Sequence, residues 1–201
     1  VVNLGRKLPD FFGNPAVSER DIQGKKLKYQ QNVQQHCNMS NTTRPPFGAM
    51  RRKEREITSR EEIDEILGLS TVMNLALSDN NVPFLVPVFF AYDGTALYYH
   101  SACKGTKMEI LSRNDRVCFE VSVEQGVIES DTACDFEARH RTVIGFGNAG
   151  IIEDMPEKVR VLDMIVARFT DRKFSYPPGS LDNTAVVRID ILSIKGKKHG
   201  F

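Results

Sequence analysis

Two runs rich in β-branched and aromatic residues, Val82 to Tyr92 and Thr95 to Ser101, are separated only by Asp93-Gly94. A glycine there supplies the backbone freedom of a tight hairpin, and so short a connection joins only antiparallel strands. The chain therefore holds a β-meander, and everything else has to be arranged around it. On its second strand, alternation puts Leu97, Tyr99 and Ser101 on one face with Tyr98 and His100 on the other.

The same period recurs elsewhere. Thr71 to Ser78 lead through Asp79-Asn80-Asn81 into the first strand of the meander, and Val117, Phe119, Val121 and Val123 alternate with Cys118, Glu120 and Ser122. Arg139 to Ile152 reads as a long strand whose Gly145, Gly147 and Gly150 mark bends or close approach of another backbone. Thr184 to Ile194 is the last strand. Helical signals lie between these: Thr58 and Ser59, each with Glu three positions on, cap a helix carrying Ile63, Ile66 and Leu67, with Gly68 as its expected terminator. Gly105 to Ser112 is a short helix. Asp154, Pro156 and Glu157 open another, with Val159, Leu162, Ile165, Val166 and Phe169 on one face, before a Pro-Gly loop at Tyr176 to Ser180. About six strands in hairpin order with two to three helices predict a mainly β fold, a six-stranded antiparallel barrel with helices on its flanks.

Composition sharpens the boundaries. Residues 1–49 are polar and proline-punctuated, with seven basic residues against three acidic, and read as a loose basic leader; 50–201 carry 20 basic and 23 acidic residues and form the folded domain. That mildly acidic domain offers no general field for nucleic acid. No apolar run approaches the roughly 20 residues of a membrane helix, and the amino terminus lacks the apolar block of a secretory signal. Cys37, Cys103, Cys118 and Cys134 form no CxxC pair, which speaks against a zinc ribbon or a thioredoxin-type redox pair and fits reduced thiols in a cytoplasmic protein with no metal site.

The glycines at 145, 147 and 150 fall inside a strand pattern, and no phosphate loop, nucleophile elbow or HExxH helix is present. The segment from Tyr98 to Lys107 stands out instead. A strand delivers His100 and the Ser101 hydroxyl, then turns into a helix whose start carries Lys104, Thr106 and Lys107, an arrangement suited either to a phosphate or to ordinary solvated lysines. Pro87, inside the apolar strand, implies a sheet edge where a flat aromatic ligand can meet free backbone groups, or else a tolerated kink. Arg139-His140-Arg141-Thr142 adds cationic side chains at a strand start.

Taken in order, Met50-Arg51-Arg52-Lys53-Glu54-Arg55-Glu56-Ile57, Val86-Pro87-Val88, Leu97-Tyr98-Tyr99-His100-Ser101-Ala102 with Gly105-Thr106-Lys107, Arg116 to Glu120, and Arg139 to Gly145 resemble the 5-nitroimidazole-resistance flavoproteins. That family belongs to the pyridoxamine 5′-phosphate oxidase-like split barrels, and the likeness runs from Met50 to about Gly196. It implies a homodimer with FMN, or in some relatives FAD, at its interface. Val86, Pro87 and Val88 would line the isoalloxazine edge, Ser101 and Lys107 would meet the phosphate with Lys104 and Thr106 beside them, and Arg139, Arg141 and Thr142 match a stretch near the site. Lys104, Lys107, Arg139 and Arg141 are thus expected to gather where the flavin phosphate sits. Family members commonly have Trp where Phe136 stands and Tyr where His140 stands, and this chain has no Trp.

His100 matches the family's histidine near flavin and substrate, and with an ordinary pKa near about 6.5 it is the candidate proton donor. The expected activity is reduction of nitroaromatic or other electron-poor small molecules, with NAD(P)H or another reductant upstream. Three alternatives stand beside it: a flavin carrier or sensor without reductase activity, a split barrel holding haem through His100, and a barrel with no ligand. The arginine-rich substrate signature of pyridoxamine phosphate oxidation itself is not found.

Overall fold

The computed structural model describes residues 48–201, so the leader expected over 1–49 lies outside the described residues except for Gly48 and Ala49. Seven strands form one antiparallel sheet: β1 (Glu56–Ile57), β2 (Val72–Asp79), β3 (Val82–Tyr92), β4 (Ala96–Ala102), β5 (Arg116–Ile128), β6 (Glu137–Ile151) and β7 (Thr184–His199). Their order is β1-β7-β4-β3-β2-β5-β6, and β6 also pairs with β7. That last pairing closes six strands into the expected barrel, with the two-residue β1 added on β7.

The turns form for the reasons their sequences suggest. Asn80 and Asn81 both adopt positive φ (48° and 66°), and Gly94 does so at 94°. The Asp93 carboxylate accepts the Thr95 and Ala96 amides, each at 2.9 Å, which fixes the β3–β4 register. Inside the barrel lie Met73, Leu75 and Leu77 of β2, Phe90 of β3, Leu97 and Tyr99 of β4, Phe119 and Val121 of β5, and Val187 and Ile189 of β7. Gly145 faces Phe119 in register, and a Cβ there would lie 2.2 Å from the ring. This is the close approach that its place in a strand implied.

Among the described residues four α-helices complete the fold: α1 (Arg60–Leu69), α2 (Thr106–Leu111), α3 (Met155–Val166) and α4 (Pro178–Asp182). The Ser59 hydroxyl caps α1 by accepting the Glu62 amide at 3.2 Å, and Ile63, Ile66 and Leu67 close one end of the barrel. Gly68 does not end this helix. It has no positive φ, and the chain leaves the helix at extended Ser70. α2 lies at the other barrel end, where Ile110 and Leu111 join the core and Asn114, just beyond the helix, bonds the Ser78 carbonyl. α3 covers the outside of β3, β4 and β7, burying Val161, Leu162 and Ile165 against Ala91, Tyr98 and Val186. Phe169, expected on its apolar face, lies past its end and meets Phe89 edge to face at 4.9 Å.

α4 was not expected from the Pro-Gly loop. It is a single turn anchored by Leu181, whose carbonyl accepts the buried Lys158 ammonium of α3. β7 also runs five residues beyond the expected Ile194. Cys103, Cys118 and Cys134 are free thiols, and among the described residues no group of His, Cys, Asp or Glu is arranged to hold a metal. Among the described residues no helix is long and apolar enough to cross a membrane.

Candidate functional site

The β3–β4 ladder stops at Phe90↔Tyr99, although β3 continues back to Val82 on β2 and β4 continues to Ala102 on β7. The barrel is therefore split between these two strands. The Phe90 amide donates to the Thr71 carbonyl at 3.1 Å, on the β2 side. Strand alternation then turns the backbone groups of Leu85 and Pro87 toward the split. Pro87 consequently costs no ladder hydrogen bond, which is why this apolar strand tolerates it. Extending the β3–β4 register sets Val88 level with Ser101, so Val86, Pro87 and Val88 border the split from one side and half-buried Ser101 from the other.

Past Ala102 the chain turns at Gly105, whose φ of 110° favours glycine, into α2. The Gly105 carbonyl accepts the Met108 and Glu109 amides at 2.9 and 3.0 Å. The amides of Thr106 and Lys107 have no hydrogen-bond partner among the described residues, as the first turn of a helix requires. Lys107 is half-buried, with its ammonium 5.1 Å from the centre of the Tyr99 ring, and desolvation lowers its pKa. Lys104 and Thr106 are exposed. The buried Tyr99 hydroxyl has no partner, and desolvation pushes its pKa up. Tyr99 is the platform under Lys107 that reading the motif residue by residue missed; the alternation along β4 was the signal that could have found it.

His100 leaves β4 on the opposite face to Tyr99 and is exposed to solvent. Partial desolvation by its surroundings, and then the Lys107 ammonium, hold its pKa below 6.5. It is therefore mostly neutral at pH 7, less ready to give a proton than an unperturbed histidine.

Within one chain, Arg139, Arg141 and Thr142 do not join this site. Ser101 pairs with Ala185 at the start of β7 and Thr142 with Lys197 near its end, about 12 residues or roughly 40 Å along the curved strand. Arg141 is occupied by Glu65 (2.8 Å), Glu124 (3.3 Å) and Glu62 (3.8 Å). Arg139 stacks its guanidinium over Phe201 at 4.5 Å. Thr142 hydrogen-bonds Ser122 at 2.7 Å and His140 Nδ1 at 2.9 Å. The expected gathering of four cations is thus divided between opposite barrel ends, because strand register decides neighbourhood and charge spacing along the chain does not.

A profile of the pyridoxamine 5′-phosphate oxidase family matches residues 59–198, which span β2 to β7 and both sides of the split. The chain belongs to the pyridoxamine 5′-phosphate oxidase-like family. Among solved structures, a candidate 5-nitroimidazole antibiotic resistance protein of Bacteroides thetaiotaomicron is 29% identical, with a TM-score of 0.64 over 71% of this chain and 85% of that one. A flavocytochrome of Azotobacter vinelandii (24% identity, TM-score 0.69, 76% and 73% covered) shares the fold. So does an FAD- and haem-binding protein of Mycobacterium smegmatis (22%, 0.67, 73% and 75%). No curated protein matches the sequence.

Proposed function

We propose that this family member is a flavin-dependent reductase of 5-nitroimidazole-like nitroaromatics or comparably electron-poor small molecules, with FMN as its cofactor and FAD as the variant. The observation that carries this reading is the split, where an open strand edge at Leu85 and Pro87 faces Ser101 and runs out to Lys107 and two unpartnered amides. The residues fit the cofactor. An open edge offers donors and acceptors to the polar rim of a flat ring, and a desolvated ammonium beside free helix amides is relieved by a phosphate. Ser101, Lys107 and the Thr106 amide would hold the phosphate, with Lys104 outside them, while Val86, Pro87 and Val88 would flank the ring. Bound flavin supplies hydride chemistry. The similarity to the Bacteroides protein supports the nitroimidazole class.

His100 is the proton-bearing group of this reading. Desolvation, and then the unneutralised Lys107 ammonium, make it hold its proton weakly. A phosphate on Lys107 cancels the second of the two effects that depress His100, after desolvation, so a loaded site leaves more of His100 protonated and holding a proton to give. Proton delivery is thereby linked to cofactor occupancy.

The acting unit we infer is a homodimer in the cytoplasm, drawing on NAD(P)H or another reductant. The outer face of the paired strands β6 and β7 exposes Ile144 (40%) and Leu192 (66%), apolar surface that a second copy would cover. A second copy is also the route by which Arg139, Arg141 and Thr142 would come near a flavin, that of the other chain. The test is anaerobic mixing of purified protein with NADH and a 5-nitroimidazole. Flavin bleaching followed by acceptor-dependent reoxidation is expected, and His100→Ala should keep its flavin but lose most turnover. Bleaching by no donor, with or without acceptor, would leave a flavin carrier; wild-type turnover in His100→Ala would remove His100 from the mechanism.

A further inference from the structure

Away from the split, the turn before β1, the start of β6 and the end of β7 enclose a hollow of about 500 Å³ lined by Met50, Arg51, Arg52, Arg55, Glu137, Ala138, His140 and Lys197. Four permanent cations face one carboxylate there, on a domain whose overall balance is acidic. Glu137 is already engaged by Arg55 at 2.9 Å, by Arg52 at 3.8 Å and by His199. Arg51 and Lys197 have no carboxylate partner among the described residues. The leader that precedes Met50 is itself basic, so its charge does not complement the hollow.

The protonation of His140 follows from its neighbours. Glu120 accepts from Asn74 Nδ2 at 2.8 Å and from the Ser122 hydroxyl. A carboxylate only accepts, so Ser122 spends its proton on Glu120 and must accept from Thr142. Thr142 then has no proton left for the imidazole, and His140 Nδ1–H is the donor in that contact. Neutral His140 is therefore the Nδ1–H tautomer, and its Nε2 lone pair has no hydrogen-bond partner among the described residues.

We propose that this hollow is a second anion site, selective for a phosphate group that keeps a proton, held by Arg51, Arg52 and Lys197 while its P–O–H donates to His140 Nε2. Guanidinium forks suit the oxygens of phosphate and sulfate alike. Sulfate has no proton to give at neutral pH, so the lone pair on Nε2 discriminates between them. Desolvation, then Lys197, His199 and Arg55, lower the His140 pKa against the opposing pull of Glu120, which keeps the ring neutral at pH 7.5. Arg51, Arg52 and Glu137 are the other charges around it. Free phosphate retains a proton at that pH, whereas a monoester, with a second pKa near about 6, mostly does not.

The test is calorimetric titration of the full chain, carrying whatever cofactor it purifies with, using inorganic phosphate, sulfate and glycerol 3-phosphate at constant ionic strength. At pH 7.5 phosphate should bind saturably and about 10-fold tighter than sulfate, the worth of one charge-assisted hydrogen bond. Glycerol 3-phosphate should fall near sulfate at pH 7.5. His140→Asn, which keeps a donor toward Thr142 but removes Nε2, should erase the preference without erasing binding. Arg52→Gln/Lys197→Gln should weaken all three ligands at least 10-fold. Equal binding of phosphate and sulfate to the wild type at pH 7.5 would overturn the proposal. So would undiminished binding in the double variant, or phosphate that expels the cofactor.

Discussion

Gly145→Ala tests how closely the barrel is closed. The new methyl carbon would lie 2.2 Å from Phe119 Cζ and 2.7 and 2.9 Å from Cε1 and Cε2, where carbon atoms ordinarily stand about 3.5–4 Å apart. The ring has to retreat by more than about 1 Å, yet Phe119 is wholly buried, with Leu75 beside it in register and the core around it. Overpacking of buried sites costs about 1–3 kcal/mol, and a ring with nowhere to go puts this one near the upper end, about 3 kcal/mol. Phe119→Leu alone costs about 1 kcal/mol by underfilling the same volume. Together the methyl occupies space the ring has vacated, so the double variant should be less destabilised than the sum by about 2 kcal/mol. Urea unfolding at fixed cofactor saturation measures all three as shifts in midpoint at unchanged slope. Costs that add to within about 0.5 kcal/mol, or a neutral Gly145→Ala, would refute the packing argument.

Lys107→Gln should weaken FMN about 10-fold or more, the range of a charge-assisted phosphate contact, and leave riboflavin, which lacks the phosphate, within about 2-fold in fluorescence titrations; equal losses for both would move Lys107 off the phosphate. The folded pKa values of His100 and His140 lie below the unfolded 6.5, so the unfolded chain takes up protons first as pH falls. Their contribution to stability is full above about pH 6.5 and declines as pH drops through 6.5 toward the folded values, and urea midpoints between pH 8 and 5.5 should fall in that direction. Loading the split with FMN should raise the His100 pKa in an NMR titration, and an unchanged value would separate it from Lys107. Ser59→Ala should cost about 1 kcal/mol by freeing the Glu62 amide, read again by urea unfolding.

Most of the barrel was legible because alternation and turn chemistry act over a few residues. Asp93-Gly94 and Asn80-Asn81 form the turns their sequences call for, and Ser59 caps the helix it precedes. Gly68 misled because a glycine ends a helix only when its φ turns positive, and here Ser70 leaves the helix first. α4 was hidden because a five-residue turn opening on Pro-Gly has no period to read, and it is held instead by Leu181 and Lys158 from another element. At the site, Pro87 and the Ser101 to Lys107 segment were visible as local oddities, but the split that sets them face to face depends on where the β3–β4 ladder stops. The separation of Arg139, Arg141 and Thr142 from Lys107 was likewise out of reach, since it is measured along β7, a strand that none of these residues belongs to.

The central claim is that the split of this family member holds a flavin, and the direct measurement is the absorption spectrum of the purified full chain together with the mass of the chromophore it releases on denaturation. A yellow, two-banded flavin spectrum and the mass of FMN or FAD are expected, with the band weakened in Lys107→Gln prepared alongside. A colourless protein that takes up no added FMN, or a Soret band with no flavin mass, would contradict it.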